Sequence, residues 1–261
     1  YMIDKMKSEK LLNKLDHQKI KGLENIDPRF LNQSFDKDNA YSIPYFWGTL
    51  GITYNDEKVK TPPEHWQDLW SPDYKNNLML IDGAREIIGL ALNEQGDSVN
   101  SKDMGQLNKA YNHLKSLTPN VKAIVADEIK QYMINNEAAA AVTFSGEASE
   151  MVSENEHLHY VVPNEGSNLW FDNIVIPKTA KNYDAAYAFI NYMLRPEIAA
   201  KNAEYVGYAT PNMKAEAILP KEIKSDKAFY PDATAMKNLE VYQNLGPEYL
   251  GIYNDLFLEF K

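Results

Sequence analysis

Residues 41–55 read YSIPYFWGTLGITYN, a run of aromatic and β-branched side chains without a charged residue. This composition favours an extended strand. Gly48 and Gly51 within the run indicate an irregular strand or one that another segment approaches closely. A second extended run, LWFDNIVIP, occupies residues 169–177. We interpret both runs as strands that cross between two lobes.

Helix-like and strand-like segments alternate along the chain, which is typical of α/β proteins. Helices are predicted at about residues 103–117 and 128–136, and a buried strand ends at Phe144, where Ser145 can start the next helix. A later helix at residues 183–194 is predicted from its apolar spacing. It places Ala186, Phe189, Ile190 and Met193 on one side.

The predicted fold class is α/β, with two lobes joined by the crossing strands and a ligand cleft between the lobes. Residues 1–50 and 172–218 form the first lobe in this prediction, and residues 51–171 form the second. Helices in residues 219–261 are expected to return to the second lobe.

Composition narrows the classes of function. The 261 residues are 44% hydrophobic and 25% charged, as in globular proteins. Lys and Arg total 27 against 37 Asp and Glu, a formal net charge of -10. This charge repels nucleic acid and anionic membrane surfaces, so a cationic partner fits better. The chain has no cysteine, which excludes thiol nucleophiles, thiolate metal sites and disulfides within it.

Catalytic and cofactor motifs are absent from the sequence. It contains no G-x-S-x-G elbow, no phosphate-binding G-x-x-x-x-G-K-[ST] loop and no H-E-x-x-H zinc helix. His157 and His159 form a close pair, but two histidines in a polar stretch are weak support for a metal site. We expect solvated surface histidines, no cofactor, no metal and no enzymatic activity.

Trp170 and Asp172 are the strongest candidates for a ligand site that the residues alone provide. Residues two apart on a strand point to the same face. An indole attracts an ammonium by about 0.5–2 kcal/mol, and a carboxylate adds a charge-assisted hydrogen bond. The alternative interpretation, a core tryptophan beside a turn-forming aspartate, is equally compatible with the spacing.

Four strings in order along the chain resemble one known family. They are IPYFWGTLGITYN, HWQDLWSPDYKNNLMLIDGARE, LWFDNIVIP and AYAFINYMLRPEIAAKNAEYVGYATPN. They are similar to the spermidine/putrescine-binding proteins of bacterial ABC importers, and the similarity covers nearly all 261 residues. The resemblance implies a type II periplasmic-binding-protein fold, closure on a polyamine and delivery to a transmembrane permease.

The resemblance also implies a cellular location and an oligomeric state. The protein is expected outside the cytoplasm, in the periplasm or on the outer face of the cell membrane, with a lipid anchor as one option for the intact protein. It is expected to be monomeric and to bind no nucleic acid. The first residues resemble a segment that family members reach only after their first strands and helix, so an amino-terminal part is expected to be missing.

Several single residues match ligand-contacting positions of the family. Besides Trp170 and Asp172, these positions are occupied by Tyr1, Glu86, Tyr208 and Gln243. Without the resemblance, Glu86 would be interpreted as a helix-capping acid. Its neighbour Arg85 is expected to orient carboxylates instead of contacting a cationic ligand.

The sequence departs from the family at two ligand positions. Gly83 stands where some members have an aspartate, and Phe144 stands where some have a tryptophan. Asp82 is the candidate substitute for the missing carboxylate, and Phe144 keeps an aromatic face with a weaker attraction for cations.

Two other functions stay open from the residues. Aromatic and acidic residues also bind carbohydrate, so a sugar-binding protein of the same fold is one alternative. A glycoside hydrolase with two catalytic carboxylates is a less favoured one, because accidental acid pairs are inevitable among 37 acidic residues.

Overall fold

The computed structural model describes residues 1–231 and 235–261. The chain forms two compact units: unit 1 comprises Tyr1–Gly48 and Trp170–Tyr230, and unit 2 comprises Thr49–Leu169 and Pro231–Lys261. Residues 219–230 therefore belong to unit 1, which corrects the prediction that all of residues 219–261 return to the second lobe. Across the described ranges, no helix combines the length and apolar character that crossing a membrane requires.

The strands are short except for the two that the sequence predicts as crossing segments. In the described part of the chain they are β1 Ser42–Asn55, β2 Leu78–Ile81, β3 Val121–Val125, β4 Ala140–Phe144, β5 Leu158–Val161, β6 Ser167–Val175 and β7 Leu239–Glu240. The chain passes between the units within β1 and within β6. The prediction of two long extended segments is thereby confirmed.

Helices occupy most of the remaining regular structure. The α-helices of the described residues are α1 Met2–Ser8, α2 Ala84–Glu94, α3 Met104–Lys115, α4 Ile129–Ile134, α5 Ser145–Glu154, α6 Tyr183–Met193, α7 Pro196–Val206, α8 Met213–Ile218, α9 Lys221–Lys224 and α10 Gly246–Phe260. Helix α5 begins at Ser145, directly after β4, as the sequence predicts.

The sheet of unit 2 places three strand ends at one edge. Strand β2 pairs in parallel with β3 and with β4, and β4 pairs antiparallel with β1. Helices α2 and α10 and the middle of β4 contribute fully buried apolar side chains to the core of this unit. Because β2, β3 and β4 run the same way, their carboxyl ends meet at the same edge, where α/β proteins commonly bind ligands.

Gly51 allows two strands to pack closely. Strand β5 pairs with β1 through Ile52↔Val161 and Thr53↔Tyr160. A Cβ added at Gly51 would overlap the Val161 carbonyl oxygen and would lie 2.6 Å from the Tyr160 hydroxyl. That hydroxyl is fixed, since it donates to the Thr49 carbonyl at 3.0 Å. The close approach predicted from the sequence is therefore confirmed at Gly51.

Unit 1 is organised around an aromatic core. Phe30 packs against Trp47 with ring centroids 4.8 Å apart and against Phe171 at 5.6 Å. Trp47 is 2% exposed, and its indole N–H donates to the Thr210 carbonyl at 3.2 Å. Trp47 is thus a core residue.

Helix α6 differs from its predicted orientation. Ile190 is buried, but Phe189 is 55% exposed, and Tyr187 is the other buried residue of this helix. The prediction that Phe189 lies on the buried side is wrong. Tyr187 is buried because its hydroxyl accepts from the Asp16 backbone N–H at 2.8 Å, a long-range contact that periodicity does not reveal.

Replacing Gly51 with Ala is expected to destabilise the protein by about 1–3 kcal/mol, because the new methyl group meets backbone that cannot yield. Denaturant unfolding measures the change. Gly251→Ala is the matched control: it lies within α10 with no heavy atom near the added Cβ, so a gain of about 0.5–1 kcal/mol is expected. Equal stability of Gly51→Ala and the parent would contradict the prediction.

Candidate functional site

Alternation along β6 separates a core face from a second face. Phe171 points into unit 1, where it contacts Phe30 at 5.6 Å and Phe35 at 6.2 Å between ring centroids. Neighbouring residues on a strand point to opposite faces. Trp170 and Asp172 therefore share the other face, as the sequence predicts for the pair.

Trp170 belongs to a connected group of rings, here termed the aromatic cluster: Tyr45, Phe46, Trp170 and Tyr208. The Trp170 and Tyr208 centroids are 5.4 Å apart with an edge-to-face angle of 72°. Tyr208 contacts Phe46 edge-to-face at 5.5 Å, and Phe46 contacts Tyr45 at 4.0 Å. Edge-to-face packing favours a defined ring orientation, so buried Phe46 supports the partly exposed rings of Tyr45, Trp170 and Tyr208 in unit 1.

The turn after α7 places Tyr208 in this cluster. Gly207 ends α7 in the left-handed conformation with φ 77°, which glycine adopts without steric cost. The next residue but one, Ala209, accepts a hydrogen bond from the Trp47 backbone N–H at 3.1 Å. Tyr208 is thereby held between a helix end and a strand.

Asp172 is exposed, yet the protein around it partly desolvates its carboxyl group. Burial raises the pKa of its carboxyl, and no hydrogen bond or ion pair from the described residues acts in the opposite direction. The charge of Asp172 also raises the pKa of Tyr45, after the larger effect of burial. Asp172 is therefore a carboxylate beside an aromatic surface without a cation from the described residues.

Unit 2 carries acids at the starts of two helices. Glu86 is the third residue of α2, which follows β2, and Glu147 is the third residue of α5, which follows β4. Because β2 and β4 are parallel neighbours, both acids lie at the edge where the parallel strands end. Acidic side chains are favoured in the first turn of a helix by its dipole.

Glu86 folds back towards the start of its own helix. Burial raises the pKa of its carboxyl, and a hydrogen bond from its own backbone N–H opposes this effect. A Cβ added at Gly83 would overlap the Glu86 Oε2. The absence of a side chain at position 83 thus leaves room for this conformation of Glu86.

Glu147 is a candidate that sequence reasoning missed. Burial raises the pKa of its carboxyl, and its Oε2 is buried without a hydrogen-bond partner among the described residues. Lys130 lowers this pKa by its charge, while Asp127 and Glu150 raise it. The available signal was an acid at the third position of a helix that follows a strand, the same helix position that Glu86 occupies.

The other predicted residues of unit 2 have different surroundings. Phe144 ends β4 and packs against the core of the unit. Asp82 follows β2 and pairs with Lys261, whose Nζ lies 2.7 Å from Oδ2. Gln243 is exposed, and its backbone carbonyl accepts from Arg85 at 3.2 Å.

Tyr1, in unit 1, lies at the amino end of α1 and is 43% exposed. Its backbone carbonyl accepts from the Lys5 N–H at 3.1 Å. Its role as a ligand residue stays a prediction.

The histidine pair forms exposed ion pairs with Asp56 in unit 2. His157 and His159 each contact one oxygen of Asp56, at 3.0 and 2.8 Å. Hydrogen bonding to Asp56 raises the pKa of His157. Within residues 1–231 and 235–261, no group of three or more histidines and acids is arranged to hold a metal ion.

Comparison with known proteins connects these features to a family. The family model described as bacterial extracellular solute-binding protein matches residues 1–231. The chain is 38% identical over 262 residues to the spermidine/putrescine-binding periplasmic protein of Escherichia coli strain K12, covering 100% of this chain and 75% of that protein.

Two solved structures are similar over the whole chain. One is the spermidine/putrescine ABC transporter substrate-binding protein of Streptococcus pneumoniae, with 63% identity, a TM-score of 0.95 and coverage of 100% of this chain and 80% of that one. The other is a spermidine/putrescine ABC transporter protein of Listeria monocytogenes, with 60% identity, a TM-score of 0.93 and coverage of 100% and 81%. The predicted fold class is confirmed.

Glu147→Gln is expected to stabilise the protein at pH 7. Folding raises the pKa of Glu147, so the folded state keeps the proton of this carboxyl to a higher pH than the unfolded state does. The free energy of unfolding therefore falls as the pH rises from the pKa of the unfolded state, about 4.3, through the pKa of the folded state. The variant should have a higher free energy of unfolding than the parent at pH 7, and the difference should vanish below about pH 4.

Denaturant unfolding across this pH range measures the effect. Glu154→Gln, at the exposed end of α5, is the control and should change stability little at either pH. A Glu147→Gln variant that is less stable than the parent at pH 7 would show that the carboxylate is stabilised in the folded state.

Proposed function

The chain belongs to the bacterial extracellular solute-binding protein family, and on this premise we propose that it binds a polyamine, spermidine or putrescine, and delivers it to the permease of an ABC importer. The family match over residues 1–231 and the 63% identity to a spermidine/putrescine substrate-binding protein support the proposal. The observation that carries it is the position of Asp172 beside the aromatic cluster of unit 1.

The chemistry of this group of residues in unit 1 suits an alkylammonium. The face of Trp170 attracts a cation, and Asp172 accepts a charge-assisted hydrogen bond from it. The partly exposed ring of Tyr208 offers apolar surface for methylene groups. Desolvation at Asp172 strengthens the attraction, because charges interact more strongly where water is partly excluded.

Several contacts have to act together. Micromolar affinity corresponds to about 8.2 kcal/mol, whereas one cation–π contact gives at most about 2 kcal/mol. Unit 2 provides further acceptors of its own in Glu86, Glu147 and Gln243. Asp82 ranks below these because Lys261 already pairs with its carboxylate.

In this proposal the protein performs no chemistry on its ligand. The relatives are named as binding proteins, which favours neither a sugar-binding protein nor a glycoside hydrolase. The family is described as extracellular, in agreement with the expected location outside the cytoplasm. A monomeric state and the absence of nucleic-acid binding stay predictions from the sequence.

Calorimetric titration with spermidine and putrescine tests the proposal, with maltose as a neutral ligand. We expect saturable binding of at least one amine that weakens as salt rises from 20 to 200 mM in the assay, because screening reduces charge attraction (Debye length about 8 Å at physiological salt). Asp172→Asn should lower affinity by about 10- to 100-fold, since a hydrogen bond to a charged group contributes about 1.5–3 kcal/mol.

Asp184→Asn is the matched control, because Asp184 is an exposed acid of unit 1 in the first turn of α6. Trp170→Ala should lower affinity by about 2- to 30-fold, since it removes one cation–π contact of about 0.5–2 kcal/mol. Tyr205→Ala, which removes an aromatic residue that is 92% exposed, is its control. Both controls should bind as the parent does. Binding of maltose without binding of either amine would favour the sugar-binding alternative, and turnover of a chromogenic glycoside would favour the hydrolase.

A further inference from the structure

Arg85 is a buried cation next to a candidate ligand residue. It precedes Glu86 in the first turn of α2 and is 8% exposed. Its guanidinium lies 4.4 Å from the ring centroid of Tyr242 and 5.1 Å from that of Tyr253. Most of the Arg85 side chain is thus withdrawn from solvent and surrounded by residues of unit 2.

The acceptors of Arg85 are neutral. One terminal nitrogen donates to the Gln243 carbonyl at 3.2 Å, and the other donates to the Val99 carbonyl at 3.2 Å and to the Asn100 Oδ1 at 2.8 Å. The expectation that Arg85 orients carboxylates is therefore wrong for these hydrogen bonds. They connect the start of α2 to residues 99–100 and to residue 243 instead.

Asn100 completes this connection. Its Oδ1 accepts from the Gln243 backbone N–H at 2.8 Å as well as from Arg85, and its amide nitrogen donates to the Val241 carbonyl at 3.0 Å. Tyr242 lies between Val241 and Gln243 in the chain, and its ring packs against the Arg85 guanidinium. Tyr242 is 7% exposed. Both backbone groups of Gln243 are thus held, while its side chain remains exposed.

We infer that Arg85 is a positioning residue for ligand binding, which acts by holding residues 241–243 against the first turn of α2 so that Gln243 presents its amide to an ammonium group of the ligand. This inference rests on the proposed polyamine binding. Residues 241–245 have no helical or strand hydrogen bonding of their own, so their position depends on side chains such as those of Arg85 and Asn100.

The geometry requires arginine in particular. A planar guanidinium donates in several fixed directions and stacks on aromatic rings, and here it reaches three acceptors while lying over two tyrosines. A lysine ammonium carries the same charge but cannot reproduce this pattern. Arg85→Lys therefore keeps the charge and removes the connection.

Backbone hydrogen exchange tests the positioning without any ligand. In Arg85→Lys the Gln243 amide should exchange about tenfold or more faster than in the parent, while the amides of α2 and α10 keep their protection. Asn100→Ala should give the same result, and Arg195→Lys, an exposed arginine paired with Glu197, should change nothing. Unchanged protection of Gln243 in Arg85→Lys would overturn the inference, as would loss of protection throughout unit 2.

Spermidine titration tests the consequence for binding, at a temperature at which circular dichroism shows each variant fully folded. We expect Arg85→Lys to lower affinity by about tenfold, comparable to the loss of one hydrogen bond to a charged group. The Arg85→Lys/Gln243→Ala double variant should bind no more weakly than Arg85→Lys within about threefold, because both changes remove the same contact. The inference would be overturned if the two substitutions lowered affinity by factors that multiply in the double variant. It would also be overturned if folded Arg85→Lys bound spermidine as tightly as the parent does.

The two proposals fail in different ways. If the parent binds neither spermidine nor putrescine, the proposed function fails, and the exchange rates of the Gln243 amide still decide whether Arg85 positions residues 241–243. If the parent binds and Arg85→Lys binds equally well, only the positioning role fails.

Discussion

Phe171 is half-buried and packs against Phe30 and Phe35 in unit 1, and this contact determines which face of β6 the neighbouring residues occupy. A strand has only two faces, so once Phe171 belongs to the core, Trp170 and Asp172 must lie on the opposite face. A shift of one residue in β6 would bury a carboxylate and expose a phenylalanine. The core of unit 1 therefore fixes the candidate ligand residues more firmly than any local hydrogen bond does.

The acids of unit 2 are fixed by a different constraint, the start of a helix after a parallel strand. The backbone N–H groups of a first helical turn stabilise an acidic side chain there. Burial nevertheless raises the pKa of both Glu86 and Glu147, so desolvation exceeds this stabilisation. A buried carboxylate oxygen that has no hydrogen-bond partner among the described residues, such as Glu147 Oε2, lowers stability in the unliganded protein. A cationic ligand would supply the missing partner.

The sequence predicts the features that depend on local pattern. The two long strands, the start of α5 at Ser145 and the shared face of Trp170 and Asp172 all follow from composition and from the two-residue period. Phe189 shows where this reasoning ends: an apolar helix has more hydrophobic residues than its buried side can hold, and its orientation depends on the distant contact between Tyr187 and Asp16.

In the candidate site, too, some features follow from local sequence pattern and others depend on contacts between distant residues. The pairing of Asp82 with Lys261 joins residues 179 positions apart, and the contact between Phe46 and Tyr208 joins two distant segments. No local pattern contains such pairs. Glu147 was within reach of sequence reasoning, because it occupies the same position in its helix as Glu86 does, the third residue. It was missed because a single acid after a strand is common among 37 acidic residues.

The candidate acceptors for the ligand lie on different kinds of backbone, and this difference explains why Gln243 needs Arg85 to hold it in position. Asp172 lies on a strand, and Glu86 and Glu147 lie in the first turns of helices, so regular hydrogen bonding of the backbone holds all three in place. Gln243 lies on irregular backbone, where no such ladder exists and fixing each residue costs about 1–2 kcal/mol of conformational entropy. The hydrogen bond that Arg85 donates to the Gln243 carbonyl and the one that Asn100 accepts from the Gln243 N–H offset this cost. A binding residue on irregular backbone thus requires a buried side chain to hold it, and Arg85 provides that support in unit 2.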